Sequence, residues 1–214
     1  EEVIAATGFW VMRVLIDMHA HLREPGYEYK EDIATGSMAA AAGGITTVVC
    51  MANTDPVNDN PSVTQYILRK ASSVGLARVL PVGAITKGLN GRDLAEMGLM
   101  KQAGIVAVSD DGRPVESAAV MYRALEYAAT FSLPVLLHSE DTSLAARGVM
   151  NEGALSSRLG LAGIPAIAEE TMISRDVLIA QYTGVPVHIT HISTKGSLEI
   201  IRGAKQQGIR VSCD

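Results

Sequence analysis

Cysteine is scarce in this chain: Cys50 and Cys213 stand far apart and in no CxxC spacing. That excludes a disulfide framework, suits a reducing compartment, and makes both read as core residues rather than ligands. Long apolar runs are also missing. Ile45 to Ala52 is among the longest, far short of the roughly 20 residues of a membrane span, and Glu1-Glu2 lacks the positive charge that opens a signal peptide. The chain is therefore expected in the cytoplasm, with no membrane partner. Basic charge is sparse: 18 Lys and Arg against 23 Asp and Glu give a net charge of -5, with no Lys/Arg block, so nucleic acid is not an expected partner. No GxSxG, HExxH, P-loop or GxGxxG is found, which removes the common hydrolase, protease and nucleotide-binding signatures.

What is present is a rhythm. Of the 214 residues, 48% are hydrophobic and 19% charged, enough for a sizeable core and unlike a disordered segment. Short β-branched runs predict seven strands: Val14-Asp17, Ile45-Cys50, Arg78-Val82, Ile105-Val108, Pro134-His138, Val187-His191 and Ile209-Cys213. Between them the pattern predicts helices at Glu31-Ala42, Ser62-Val74, Arg92-Ala103, Ser117-Thr130, Ala166-Thr183 and Lys195-Gln207, several opened by Ser, Asp or Pro and most followed by Gly. Such alternation implies a parallel sheet, either an open doubly wound one or a (β/α)8 barrel. Gly153 to Pro165, rich in Gly and Ser, reads as an irregular loop bordering the active site.

Polar residues at the predicted strand ends separate the two folds. His19, His21, Asn53, Asp110-Asp111, His138 and His191 all fall there, where barrel enzymes build their sites. His19 and His21 lie two apart on an extended run and share one face. They are a pair of neutral imidazoles for a divalent metal such as zinc, or a polar strand end in water, and their spacing alone does not choose. Four of the five histidines nevertheless converge on one rim, while His188, three before His191, is expected on the opposite face and is read as structural. Asp110 and Asp111 repel each other unless a cation or hydrogen bonds relieve them; a metal ligand and a simple Asp-Gly turn are both open.

The run His19-Ala20-His21-Leu22-Arg23-Glu24-Pro25-Gly26 resembles the opening signature of class I dihydroorotases in the amidohydrolase superfamily. The resemblance continues through Met51-Ala52-Asn53-Thr54-Asp55-Pro56, Ser109-Asp110-Asp111-Gly112, His138-Ser139-Glu140-Asp141 and His188 to Lys195. It implies an α/β fold, a (β/α)8 TIM-type barrel truncated before the eighth strand. Residues 1-13 would be a remnant of an N-terminal β domain and barrel entry, and 14-214 an incomplete metal-dependent barrel. His19 and His21 would hold one zinc ion and His138 and His191 a second, with Asp111 bridging; Arg23 and Asn53 would bind the substrate carboxylate. The substrate implied is dihydroorotate or N-carbamoyl-aspartate, and the partner a second copy in a homodimer or an aspartate transcarbamoylase. The family's catalytic Asp, at the end of the eighth strand, is expected beyond residue 214, and Asp214 falls short of its spacing. Arg13-Val14 stands where the family has Pro-Gly. The alternatives are a non-catalytic scaffold subunit, against which the intact ligands weigh, and an allantoinase or hydantoinase, against which the run Leu22-Arg23-Glu24-Pro25-Gly26 and Asp111 weigh.

Overall fold

The computed structural model describes residues 3-214; Glu1-Glu2, weighed above against a signal peptide, lie outside the described residues. Seven parallel strands form the main sheet: β1 (Leu15–Ala20), β2 (Ile45–Cys50), β3 (Arg78–Gly83), β4 (Ala107–Val108), β5 (Val135–Leu137), β8 (Val187–Ile189) and β9 (Val211–Cys213). Their spatial order is β1-β2-β3-β4-β5-β8-β9. That order never reverses. A doubly wound sheet requires a reversal, with ligands at the switch point, so the sheet is singly wound, as in a barrel, and its C-terminal ends form one continuous rim. Residues 3-14 carry no strand.

The helices are α1 (Ile33–Ala42), α2 (Pro61–Val74), α3 (Met97–Ala103), α4 (Ala118–Thr130), α5 (Thr142–Ala145), α6 (Ala154–Leu159), α7 (Ile167–Thr183) and α8 (Lys195–Gln206). Local chemistry sets their starts: Asp32 accepts from Thr35 N at 2.7 Å, Asn60 from Ser62 N at 3.0 Å and Thr194 from Ser197 N at 3.1 Å, satisfying amides that a first turn leaves unpaired. Alternate strand residues separate two cores. Val108, Val135, Leu137, Val187 and Ile189 pack with Met121, Leu125 and Ile173 of the helices. Met51, Val82 and Ala107 cluster with Val49, Val106 and Leu136, on the other face of the sheet, as a two-residue period requires.

Two expectations fail locally. The helix predicted from Arg92 begins at Met97, because Lys87 N donates to Asp93 O at 2.8 Å and Ala95 N to Ile85 O at 2.9 Å, tying the preceding residues back to the β3 loop. Gly153 to Pro165 is not irregular. It holds α6, whose first turn is closed by Ser156 Oγ bonding Gly153, and β7 (Gly163–Ile164), paired with β6 (Met150–Asn151). Gly163 permits this pairing, since a Cβ there would lie 2.5 Å from Glu152 Cα. Among the described residues no helix is long and apolar enough to cross a membrane.

One buried charge carries a stability prediction. Asp176 of α7 is 1% exposed and pairs with its neighbour Arg175 at 2.6 Å, while Arg175 also donates to Glu116 O at 2.7 Å. Burial nonetheless pushes the Asp176 carboxyl up to about 6. Above pH 6 its burial penalty is fully present; as pH falls from 6 toward 3.8 the folded protein takes up the proton first, and stability is regained. Arg175→Met, which strands the carboxylate and raises its pKa further, is expected to cost about 3 kcal/mol at pH 7 in urea unfolding, with the deficit shrinking as pH falls toward 6 because the variant's carboxyl is protonated first. A deficit unchanged between pH 7 and pH 5 would refute this account.

Candidate metal centre

The rim places four imidazoles around one carboxylate. β1 ends at Ala20, so His19 is its penultimate residue and His21 lies just past it. The Nε2 atoms of both stand 3.3 Å from Asp111 Oδ2. His138, one residue past β5, brings Nδ1 within 3.3 Å of the other oxygen, Asp111 Oδ1, and His191 Nε2 lies 3.1 Å from it. His138 Nδ1 and His191 Nε2 are themselves 3.0 Å apart. The result is two ligand groups, His19-His21-Asp111 and Asp111-His138-His191, sharing the two oxygens of one carboxylate.

The backbone is bent to make this geometry. His191 leaves the β8 direction with φ 41°, in the left-handed region that non-glycine residues enter only when their surroundings impose it. Thr190 imposes it, its N and Oγ1 both bonding Leu137 O at 3.0 and 2.9 Å, as does Asp214, which accepts from His191 N. His188 does not join the cluster: its Nδ1 lies 2.9 Å from Ser212 Oγ, and its Nε2 3.5 Å from Asp214 Oδ2.

Asp110 and Asp111 take opposite tasks. Asp110 accepts from Ile85 N at 2.7 Å and Thr86 N at 2.9 Å and from the Thr86 hydroxyl, locking the end of β4 to the end of β3. Burial raises its carboxyl to about 6 against those bonds. Asp111, anchored by its own N–H to Ser109 Oγ at 3.0 Å, faces the histidines. Burial would raise its pKa too, but hydrogen bonds to His138, His19 and His191 outweigh it and hold the group well below the usual carboxylate range. His21 is lowered, chiefly by burial, and His191 raised, chiefly by its bond to Asp111. A carboxylate kept ionised among imidazoles, one of them biased toward its neutral form, is the donor set of a borderline divalent cation. Two ring nitrogens and one oxygen, all within 3.3 Å of one another, are a crowding of lone pairs that such a cation relieves.

The predicted substrate residues sit beside this cluster in different ways. Arg23 has φ 59°, and among the described residues no carboxylate pairs with it. Its neighbour Glu24, which the sequence reading left without a role, is buried and engaged elsewhere, accepting from Tyr66 OH at 2.8 Å, Lys70 Nζ at 3.2 Å and Ile33 N at 3.0 Å. Asn53 bonds His21 Nδ1 at 3.0 Å and Asp111 O at 3.3 Å. A cavity of about 420 Å³ opens beside His138 and His191, walled by Asn151, Glu152, Ile164 and Glu169, so the β6-β7 insertion does border the centre. Glu169, also missed, accepts from Ser193 N and Thr194 N at 3.0–3.1 Å and caps the start of α8; an acid in a first helical turn gave no signal of that distant partner.

Over residues 9–197 the chain matches the family described as Dihydro-orotase-like. It is 58% identical over 213 residues to a protein named Dihydroorotase from Syntrophotalea carbinolica, covering 100% of this chain and 50% of that protein. It is 53% identical, with the same coverage, to a Dihydroorotase from Acetivibrio thermocellus. The chain spans about half the length of the curated relatives it matches. Among solved structures, the L-hydantoinase (dihydropyrimidinase) from Arthrobacter aurescens superposes with a TM-score of 0.79 at 21% identity, covering 97% of this chain and 48% of that one. The D-hydantoinase from Thermus sp. gives 0.67 at 24% identity, covering 92% and 45%. These likenesses show the barrel fold of such enzymes.

Proposed function

The chain belongs to the Dihydro-orotase-like family, and from that premise we propose that it carries the metal centre of a dihydroorotase, with residues 14-214 as its barrel. The reaction is the reversible hydrolysis of the cyclic amide dihydroorotate to N-carbamoyl-L-aspartate: water adds to the ring carbonyl carbon, the carbon–nitrogen bond breaks, and the nitrogen keeps a proton from the water. The observation that carries this reading is the convergence of four imidazoles on the two oxygens of Asp111 at 3.1–3.3 Å. A scaffold subunit has no need to keep five donors in register.

His19, His21, Asp111, His138 and His191 would hold one or two zinc ions. When bound, zinc supplies Lewis acidity toward a carbonyl oxygen and makes water acidic enough to ionise near neutral pH. The protein's own part is to fix the donors and orient the substrate. Arg23 binds the substrate carboxylate through a planar fork of N–H donors, and Asn53, bonded to His21 Nδ1, offers its remaining amide N–H. The cavity beside His138 and His191 offers room for the ring next to the donors.

The test is metal content and turnover of the full-length protein. It is expected to retain zinc and to hydrolyse dihydroorotate faster than hydantoin or allantoin. A preparation that binds no zinc and stays inactive after zinc is added would overturn the reading, and faster hydantoin turnover would move the substrate to the sister enzymes.

A further inference from the structure

We infer that Asn53 is a positioning residue for the metal centre, selecting the histidine tautomer that leaves His21 Nε2 free to ligate; this rests on the metal-centre reading above. Asn53 stands between the two halves of the first ligand group, its Oδ1 3.0 Å from His21 Nδ1 and its Nδ2 3.3 Å from the main-chain carbonyl of Asp111. The carbonyl fixes the orientation of the amide. A carbonyl oxygen only accepts, so the amide nitrogen must face it, and the amide oxygen then faces His21. An amide oxygen also only accepts. The proton of neutral His21 therefore sits on Nδ1, and Nε2, 3.3 Å from Asp111 Oδ2, carries the bare lone pair that a cation needs.

The surroundings hold this arrangement from both sides. Thr54 N and Asn58 N both donate to Ala52 O, at 2.9 and 3.0 Å, closing a tight loop around Asn53. Gly112, next to the carbonyl that Asn53 bonds, has φ 90°, and a Cβ there would come within 3.2 Å of Asn53 Nδ2. One amide thus spans residues 21, 53 and 111, fixing ring tautomer and carboxylate position together, while its second N–H stays available to a ligand.

Zinc affinity by chelator competition and the His21 tautomer by long-range ¹H–¹⁵N correlation spectra of the metal-free full-length protein test this separately from catalysis. Asn53→Ala is expected to weaken zinc binding about 10- to 100-fold and to shift His21 toward the Nε2–H form. Asn53→Asp, which keeps an acceptor at Nδ1, is expected to hold the Nδ1–H tautomer. An Asn53 that only touched substrate would leave affinity and tautomer unchanged in Asn53→Ala, and that result overturns the inference. So does a wild-type His21 in the Nε2–H form, a measurement that needs no variant. If wild type binds no zinc at all, the metal-centre reading fails instead, and the tautomer of wild-type His21 still decides this one.

Discussion

Asp111→Ala is expected to abolish zinc retention and to lower kcat/KM for dihydroorotate by at least ~10⁴-fold. Removing one preorganised hydrogen-bond donor from an active site costs about 10²–10³, and here the lost group is the one negative charge on which all four imidazoles converge, 3% exposed and held ionised. Without it, His19-His21 and His138-His191 become two pairs of neutral donors with nothing joining them. Asp111→Asn should fail almost as badly, because the shape is kept and the charge is not. Asp110→Asn is the matched control. Its carboxylate serves Ile85, Thr86 and the strand end, so it should keep its zinc. Equal zinc loss in the Asp110 and Asp111 variants would mean that the segment, not the ligand, was being measured. Acid should act like the mutation: protons compete with the cation for the imidazoles, so zinc retention should fall as pH drops through the histidine range.

The rim was legible in the sequence because strand periodicity is short-ranged and strand ends are marked by a change from apolar to polar residues. His19 and His21 share a face by a rule that needs only two residues, and a singly wound parallel sheet then brings His138 and His191 to the same end without further information. What stayed hidden depended on partners distant in sequence. Asp110 and Asp111 are chemically alike, and only the β3-β4 register sends one to Thr86 and the other to the histidines. Glu24 stands beside Arg23 in the sequence, yet Tyr66 and Lys70, more than 40 residues on, claim it. Gly153 to Pro165 has the composition of a loop because glycine permits the close approach that pairs β6 with β7; the same residues that suggest an irregular loop allow regular pairing. The start of α3 was misplaced for a related reason. Main-chain bonds back to Ile85 and Lys87 compete with helix, and propensity does not contain them.

Arg23→Met is expected to lower kcat/KM for dihydroorotate about 100-fold while leaving zinc content unchanged. A charge-assisted hydrogen bond contributes about 1.5–3 kcal/mol, a carboxylate bound by both arms of a guanidinium falls at the upper end, and 1.4 kcal/mol is tenfold. The structure favours the upper end for two reasons. Because Glu24 is occupied by Tyr66, Lys70 and Ile33 N, Arg23 has no acidic partner among the described residues to be drawn from, so little interaction is lost when a substrate carboxylate arrives. The loop that presents it is also held beforehand: Glu24 ties one side, and Asp55 N donates to Pro25 O at 2.8 Å on the other. There Gly26 passes so close that a Cβ would lie 2.0 Å from Asp55 O. Arg23→Lys should recover only part of the loss, since an ammonium is a point charge without the planar fork. Glu24→Gln should do less harm still, raising KM more than it lowers kcat, because the guanidinium remains and only its support is loosened. If Arg23→Met changed zinc content as much as turnover, Arg23 would be a structural prop of the metal centre, and the substrate carboxylate would have to be bound elsewhere.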